Sequence, residues 1–227
     1  MARSLYLRIV QAVEQHENYF VQKRDINGCL GLSCLQKITA AYMMISHGVP
    51  ADFMDQYIRI GESTIIESLK KFVRAVVEVF GDEYLRSPNE HDTARLLSIG
   101  EQRGFPGMLG SIDCMHWQWK NCPTAWQDGI YPRWATFVKT ISQPLGNKKK
   151  YFAKAQEATR KDVERPFGVL QARFAIIRGP AHFWDKETLR EIMTACVIMH
   201  NMIIEDERNE DEDFHYDGVG KHLENNH

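Results

Sequence analysis

The chain has 227 residues, of which 44% are hydrophobic and 26% are charged, the composition of an ordinary globular protein. This length can bury a substantial core in one large domain or two small ones, and no apolar run is long enough to cross a bilayer. Five cysteines, an odd number without a CxxC pair, favour reduced buried thiols over disulfides or zinc, as in a cytosolic or nuclear protein.

The net charge of -2 conceals two segments of opposite charge. Residues 133–178 contain 11 Lys or Arg against three acids, and residues 205–227 contain nine acids against two bases. A basic segment of this size indicates a polyanion partner, and an acidic tail often shields such a segment. The alternative is a solvated helix face followed by a disordered tail, and the charges alone leave both open.

The first elements in the chain are predicted helices. Leu5, Ile9, Val10 and Val13 recur at helical spacing, and this first helix ends near Glu17. The residues Ser33-Cys34-Leu35-Gln36 have the form of a capping box, which opens a second helix that ends at Gly48.

A short helix at 51–57, a tight turn with Gly61 and a longer helix come next. We expect the longer helix to begin with a second capping box, Thr64-Ile65-Ile66-Glu67, and to keep Lys70, Lys71 and Arg74 off its apolar face. This order is typical of a helix-turn-helix, in which these Lys and Arg side chains would contact DNA. The alternative is a plain helical bundle in which these bases are solvated.

The second half of the chain combines helical patterns with one strand-like segment. A helix is predicted from Glu90, after Asn89, to Gln102, and residues 108–119 fit a β-strand better than a helix. Helix resumes near Tyr151, with an apolar stripe that continues through Phe174 and Ile177 to Gly179-Pro180. Asp185 caps a last helix that ends at about Arg208, and residues 209–227 are predicted to be disordered.

Three carboxylates stand out as candidate metal ligands: Asp113 within the predicted strand, Asp128 in an Asp-Gly turn pair, and Glu164 on a basic helix. Each has a structural alternative, namely a capping role, a turn residue and a solvated surface charge. His116 and His200 are predicted to be packed, hydrogen-bonded histidines rather than catalytic bases.

Several motifs together resemble the transposases of PIF/Harbinger DNA transposons and their host-domesticated plant relatives. The resemblance covers nearly all of residues 1–207. The motifs are Gly104-Phe105-Pro106-Gly107-Met108-Leu109-Gly110-Ser111-Ile112-Asp113-Cys114-Met115-His116-Trp117, Asn121-Cys122-Pro123-Thr124-Ala125-Trp126, Asp128-Gly129-Ile130-Tyr131-Pro132-Arg133-Trp134, Asp162-Val163-Glu164-Arg165 and Met199-His200-Asn201-Met202-Ile203-Ile204.

The resemblance implies a DDE endonuclease with a ribonuclease H-like fold that acts on DNA in the nucleus, with a Myb-like or chromatin protein as a further partner. Asp113, Asp128 and Glu164 match the Asp, Asp and Glu that hold two divalent metals, Mg²⁺ or Mn²⁺, in that family. Hard cations of this kind prefer oxygen ligands, and a metal pair stabilises both the attacking and the leaving oxygen.

The spacing of the two aspartates departs from that family. The family fold places two strands and a helix between its aspartates before the strand that carries the second one, which needs on the order of 45 residues. Only 14 residues separate Asp113 from Asp128. We therefore predict an internal loss at the junction of Gln127 and Asp128 that removes most of the catalytic sheet.

A second departure is Pro166, two residues after Glu164. An interior proline costs a helix about 3 kcal/mol and removes the amide that would bond to the Asp162 carbonyl. We expect this change to distort the helix that aims Glu164 and, with the short spacing, to impair catalysis.

The sequence thus predicts a mostly α protein with a residual α/β part. Residues 1–104 form a helical, helix-turn-helix-like region, 105–207 a truncated ribonuclease H-like nuclease domain, and 208–227 an acidic disordered tail. DNA-binding residues are predicted at Lys70, Lys71, Arg74, Lys148, Lys149 and Lys150. The resemblance implies an impaired metal-dependent DNA endonuclease, and the alternative is a non-catalytic nuclear DNA-binding or chromatin-interaction protein. A third alternative is a truncated product that does not fold stably.

Overall fold

The computed structural model describes residues 1–110, 117, 143–183 and 185–216. These residues divide into two compact units. The first unit contains residues 1–86, 173–177 and 185–216, and the second contains residues 87–110, 117, 143–172 and 178–183.

The first two helices follow the predicted pattern closely. Helix α1 (Arg3–His16) buries Leu5, Ile9, Val10 and Val13, the four residues that recur at helical spacing. Helix α2 (Cys34–His47) begins with the predicted capping box, in which the Ser33 side chain accepts from the Gln36 amide and the Gln36 side chain accepts from the Ser33 amide. It ends at Gly48, whose φ of 64° is the left-handed conformation that favours glycine.

The next two helices are joined by a short turn. Helix α3 (Ala51–Ile58) is followed by Arg59 at a φ of 56° and by helix α4 (Glu62–Tyr84). The predicted order of helix, short helix, turn and long helix is confirmed. The predicted capping box at Thr64 is wrong, because α4 begins two residues earlier, after Gly61, and the amides of Thr64 and Ile65 both bond to the Gly61 carbonyl.

Helix α4 is the centre of the first unit. It packs against α1, α2, α3 and the last helix of the chain, α7 (Lys186–Tyr216). The contact face of α4 is fully buried at Ile65, Leu69, Phe72, Val73 and Val76, and that of α7 at Ile192, Cys196 and Met199. A helix this enclosed forms the axis of a helical bundle.

Helix α7 differs in length from its prediction. It is capped as expected by Asp185, whose carboxylate accepts bonds from the Thr188 amide and hydroxyl. It then continues to Tyr216, eight residues beyond the predicted end at about Arg208, and the acidic, disordered tail stays a prediction. The added residues include four acids, and Glu has a good helix propensity.

The second unit begins with helix α5 (Glu90–Gln102), which has a capping box between Asn89 and Asp92. The Gly104-Phe105-Pro106-Gly107-Met108 motif follows as a tight loop. Gly104 and Gly107 both have φ near 80°. The loop folds back so closely that a Cβ atom on Gly100 would lie 2.4 Å from the Met108 carbonyl oxygen.

Helix α6 (Asn147–Arg173) has Pro166 in its interior. It begins four residues before the predicted Tyr151, and it ends at Arg173, so Phe174 and Ile177 lie beyond the helix, Ile177 in the 3₁₀ turn Ala175–Ile177 that follows it. Phe174 and Ile177 are both buried, as an apolar stripe predicts, but they are buried in the first unit.

The mostly α fold class is confirmed, since helices account for most of the described residues. Within the described part of the chain, no residue lies in an extended strand, and an isolated β-bridge pairs Arg24 with Leu30. Most of the predicted strand at 108–119 lies outside the described residues. Of the three described cysteines, Cys34 and Cys196 are buried free thiols, as predicted, and Cys29 is an exposed one.

Candidate nuclease and nucleic-acid sites

Of the three candidate metal ligands, Glu164 alone lies among the described residues. It is half-buried on α6, two residues before Pro166, and α6 continues as a helix through that proline. Asp113 and Asp128 lie outside the described residues, as does His116. The assembly of the three carboxylates therefore stays a prediction.

Trp117 is the described residue between the two aspartates. Its indole Nε1 donates a hydrogen bond to the carbonyl oxygen of Gly179 at 2.9 Å. This bond joins Trp117 to the loop that follows the 3₁₀ turn, 62 residues later in the chain.

The donor chemistry of this set suits Mg²⁺ or Mn²⁺, because three carboxylates supply hard oxygen ligands. Within the described ranges, no three or more His, Cys, Asp or Glu side chains are placed together to hold a metal ion, and two of the three candidate ligands lie outside those ranges.

The predicted DNA-binding lysines of α6 are exposed. Lys148, Lys149 and Lys150 occupy the first turn of the helix, and their ammonium groups face solvent. They begin a series of bases that continues along α6 to Arg173. The first turn of α6 is therefore an exposed cluster of positive charge.

The predicted DNA-binding residues of α4 differ from one another. Lys70 is exposed. Lys71 lies 3.8 Å from a carboxylate oxygen of Glu17 and 5.2 Å from the centre of the Tyr19 ring. Arg74 donates from Nε to Oε1 of Glu191 on α7 at 3.0 Å. Two of these three cations therefore already have partners within the bundle.

His200 has the packed role that the sequence predicts. It is buried on α7, and its Nδ1 lies 3.3 Å from Nη1 of Arg173. Burial lowers the pKa of His200 below its usual value, and the positive charge of Arg173 lowers it further. Arg173 also donates two hydrogen bonds to the Glu207 carboxylate, at 2.7 and 2.6 Å.

The rest of the Met199-His200-Asn201-Met202-Ile203-Ile204 motif is also structural. Met199, Met202 and Ile203 are buried. Asn201 donates from Nδ2 to the carbonyl oxygen of Tyr84, the last residue of α4, at 3.1 Å. The motif thus fastens α7 to the end of α4.

A polar cluster that the sequence did not predict joins α1, α4 and α7. The Tyr84 hydroxyl donates to Glu205 at 2.6 Å and accepts from Arg8 at 2.8 Å. In the sequence, Tyr84 lies 76 positions after Arg8 and 121 positions before Glu205. No local pattern relates them, so the tertiary fold is what brings them together.

None of the described helices is long and apolar enough to span a membrane. No match was found among curated proteins or among solved structures.

A family model for plant transposon proteins matches the chain in two segments, residues 82–128 and 127–211. The two segments together cover more than half of the chain and meet at residues 127–128. They contain α5, α6, most of α7 and all three candidate carboxylates. The chain therefore belongs to the plant transposon protein family.

Proposed function

We propose that this chain is a transposase-derived protein that binds DNA and has an incomplete nuclease core, so that it does not cleave the DNA it binds. Its derivation from a PIF/Harbinger-type DDE endonuclease rests on the resemblance of its motifs. A nuclear location and a Myb-like or chromatin partner belong to the same proposal.

One observation carries this proposal. The family match is divided into two parts that meet at residues 127–128. The spacing of Asp113 and Asp128 independently predicts a loss of sequence at that junction. A family model that ends and then begins again at one position is the expected result when an internal segment is missing.

The missing segment accounts for the absence of cleavage. A ribonuclease H-like site needs its two aspartates on adjacent strands, and a parallel crossover alone needs a dozen or more residues. A two-metal site tolerates roughly 0.5 Å of misplacement of its ligands. The 14 residues between the aspartates cannot supply both the strands and the crossover.

The DNA-binding part of the proposal is supported by the exposed cations of α6. Lys148, Lys149 and Lys150 lie on a 27-residue helix with eight Lys or Arg and three acids. Lys70 on α4 is a second exposed candidate, while Lys71 and Arg74 would have to leave their carboxylate partners to contact phosphates.

Fluorescence anisotropy with a labelled duplex of about 25 base pairs tests this function. The affinity should fall steeply between about 50 and 200 mM salt, because phosphate contacts release counterions. Binding should not require Mn²⁺, and E164Q should bind at least as tightly as the wild type. Absence of binding at low salt would refute the DNA-binding function. Binding that requires Mn²⁺ and is lost in E164Q would refute the incomplete site.

A further inference from the structure

We infer that α6 carries a cationic stripe, formed by Lys150, Lys154, Lys161 and Arg165, that binds the phosphate backbone of duplex DNA. This inference rests on the proposed DNA-binding function and identifies the surface responsible. It also shifts the centre of that surface from the first turn of α6 toward the middle of the helix.

The spacing of these four residues places them on one side of the helix. They are separated by four, seven and four positions. At about 100° per residue, the four Cα positions fall within an arc of roughly 60°. At about 1.5 Å per residue, the stripe is roughly 22 Å long.

The four side chains of the stripe are exposed, and so is Ala158, which lies at the edge of the same arc between Lys154 and Lys161. The opposite side of α6 faces inward. Phe152 lies there, with its ring centroid 5.7 Å from that of Phe105, and Leu170 is buried on the same side. The stripe is therefore the outer face of an amphipathic helix.

The chemistry of the stripe favours a polyanion over a protein partner. Protein interfaces are depleted in Lys and have an apolar core, whereas the stripe consists of four cations and one alanine. A DNA duplex presents one negative charge for about every 1.7 Å of its axis, so a stripe of this length faces roughly a dozen phosphates. The nearest acids on α6, Glu157 and Glu164, lie along one edge of the stripe.

A loss-of-function triple, K154Q/K161Q/R165Q, tests the stripe. The matched control is R3Q/K23Q/R95Q, which removes three exposed cations elsewhere and changes the net charge equally. At about 100 mM salt, the stripe triple should bind the duplex about 100-fold more weakly than the control. The slope of log affinity against log salt should fall by about 3.

A gain-of-function variant, A158K, adds a lysine to the stripe at the exposed position between Lys154 and Lys161. It should bind the duplex about threefold or more tightly and raise the salt slope by about 1, because it adds one phosphate contact. A94K, at an exposed position of α5, is the matched control and should leave the affinity near that of the wild type. Misfolding cannot produce a gain of this kind.

The outcomes distinguish the stripe from the wider function. If the wild type binds DNA but the stripe triple matches its control and A158K matches A94K, the stripe is refuted and the DNA-binding function stands. If the wild type fails to bind the duplex at about 50 mM salt, both are refuted. If the triple binds weakly and A158K binds tightly, both are supported.

Discussion

Asn201 of α7 donates its side-chain amide to the carbonyl oxygen of Tyr84, 117 residues earlier in the chain, at a distance of 3.1 Å. Tyr84 is the last residue of α4, where helix carbonyls lack partners within the helix. The bond therefore caps the C-terminal end of α4 with a side chain from α7. It gives a structural reason for a motif that could otherwise be taken for part of an active site.

Replacing Asn201 with alanine should destabilise the first unit. The Tyr84 carbonyl would lose a half-buried hydrogen bond, and we expect the free energy of unfolding to fall by about 1 kcal/mol. Urea denaturation followed by circular dichroism measures this change. N18A, at an exposed position after α1, is the matched control and should stay within about 0.5 kcal/mol of the wild type.

His200 should make stability depend on pH. Its pKa is lowered in the folded protein by burial and by Arg173, from an ordinary value of 6.5. The unfolded chain therefore binds a proton at a higher pH than the native state does. The stabilisation is fully present above pH 6.5 and is lost as the pH falls below that value toward the lowered native pKa. Urea unfolding at pH 7.5, 6.5 and 5.5 should show this loss.

The variant H200Q separates this effect from other titrations. Glutamine carries no titrating group, so the part of the pH dependence due to His200 should disappear, whatever the variant's stability at pH 7.5. The control is H91Q, at an exposed position of α5, in which the wild-type pH dependence should persist. An unchanged pH dependence in H200Q would show that this histidine does not control acid stability.

Two glycine substitutions should have opposite effects. A Cβ on Gly100 would lie 2.4 Å from the Met108 carbonyl oxygen, so G100A must displace the backbone of the Gly104–Met108 loop. A Cβ on Gly168, in α6, would have no neighbour within 4 Å. We expect G168A to stabilise the second unit by about 0.5–1 kcal/mol through helix propensity and G100A to destabilise it. Thermal unfolding of both variants checks the sign, and a stabilising G100A would contradict the close approach seen here.

The ion pair of Arg74 and Glu191 predicts a separation between stability and DNA binding. Arg74 is held by a carboxylate that is only 10% exposed. R74A should therefore lower the midpoint of thermal unfolding, because it leaves the Glu191 charge without this partner, and it should change duplex affinity by less than about threefold. An affinity loss without a stability loss would instead identify α4 as a DNA-reading helix.

Local signals in the sequence were reliable where a few neighbouring residues decide the structure. The buried face of α1 follows from a spacing that any amphipathic helix obeys. The caps at Ser33, Asn89 and Asp185 each depend on a side chain and an amide within three residues.

The failures arise where distant groups or competing local signals decide. The Thr64 capping box was a valid pattern, but α4 is capped instead at Gly61, three residues earlier, whose carbonyl accepts from the Thr64 and Ile65 amides. No local pattern indicated that Glu205 would accept a hydrogen bond from Tyr84, or Glu207 from Arg173. Such pairs become visible only when the helices are packed.

For the candidate site, the sequence supplied residue identities but not geometry. Glu164 lies on a helix, as predicted, and the histidine of the last motif is packed rather than catalytic. The assembly of Asp113, Asp128 and Glu164 and the DNA contacts of the basic residues stay predictions. Both depend on tertiary packing and on a bound duplex, which no local pattern of residues encodes.

Nicking of supercoiled plasmid in Mg²⁺ or Mn²⁺ tests the central claim most directly. The wild type and D113A are compared at concentrations at which both bind the plasmid, so that lost affinity cannot be mistaken for lost chemistry. We expect both proteins to bind the plasmid and to leave it supercoiled, with the same background rate in metal as in EDTA. Metal-dependent nicking by the wild type that D113A abolishes would contradict the claim and show that the carboxylates assemble despite their short spacing.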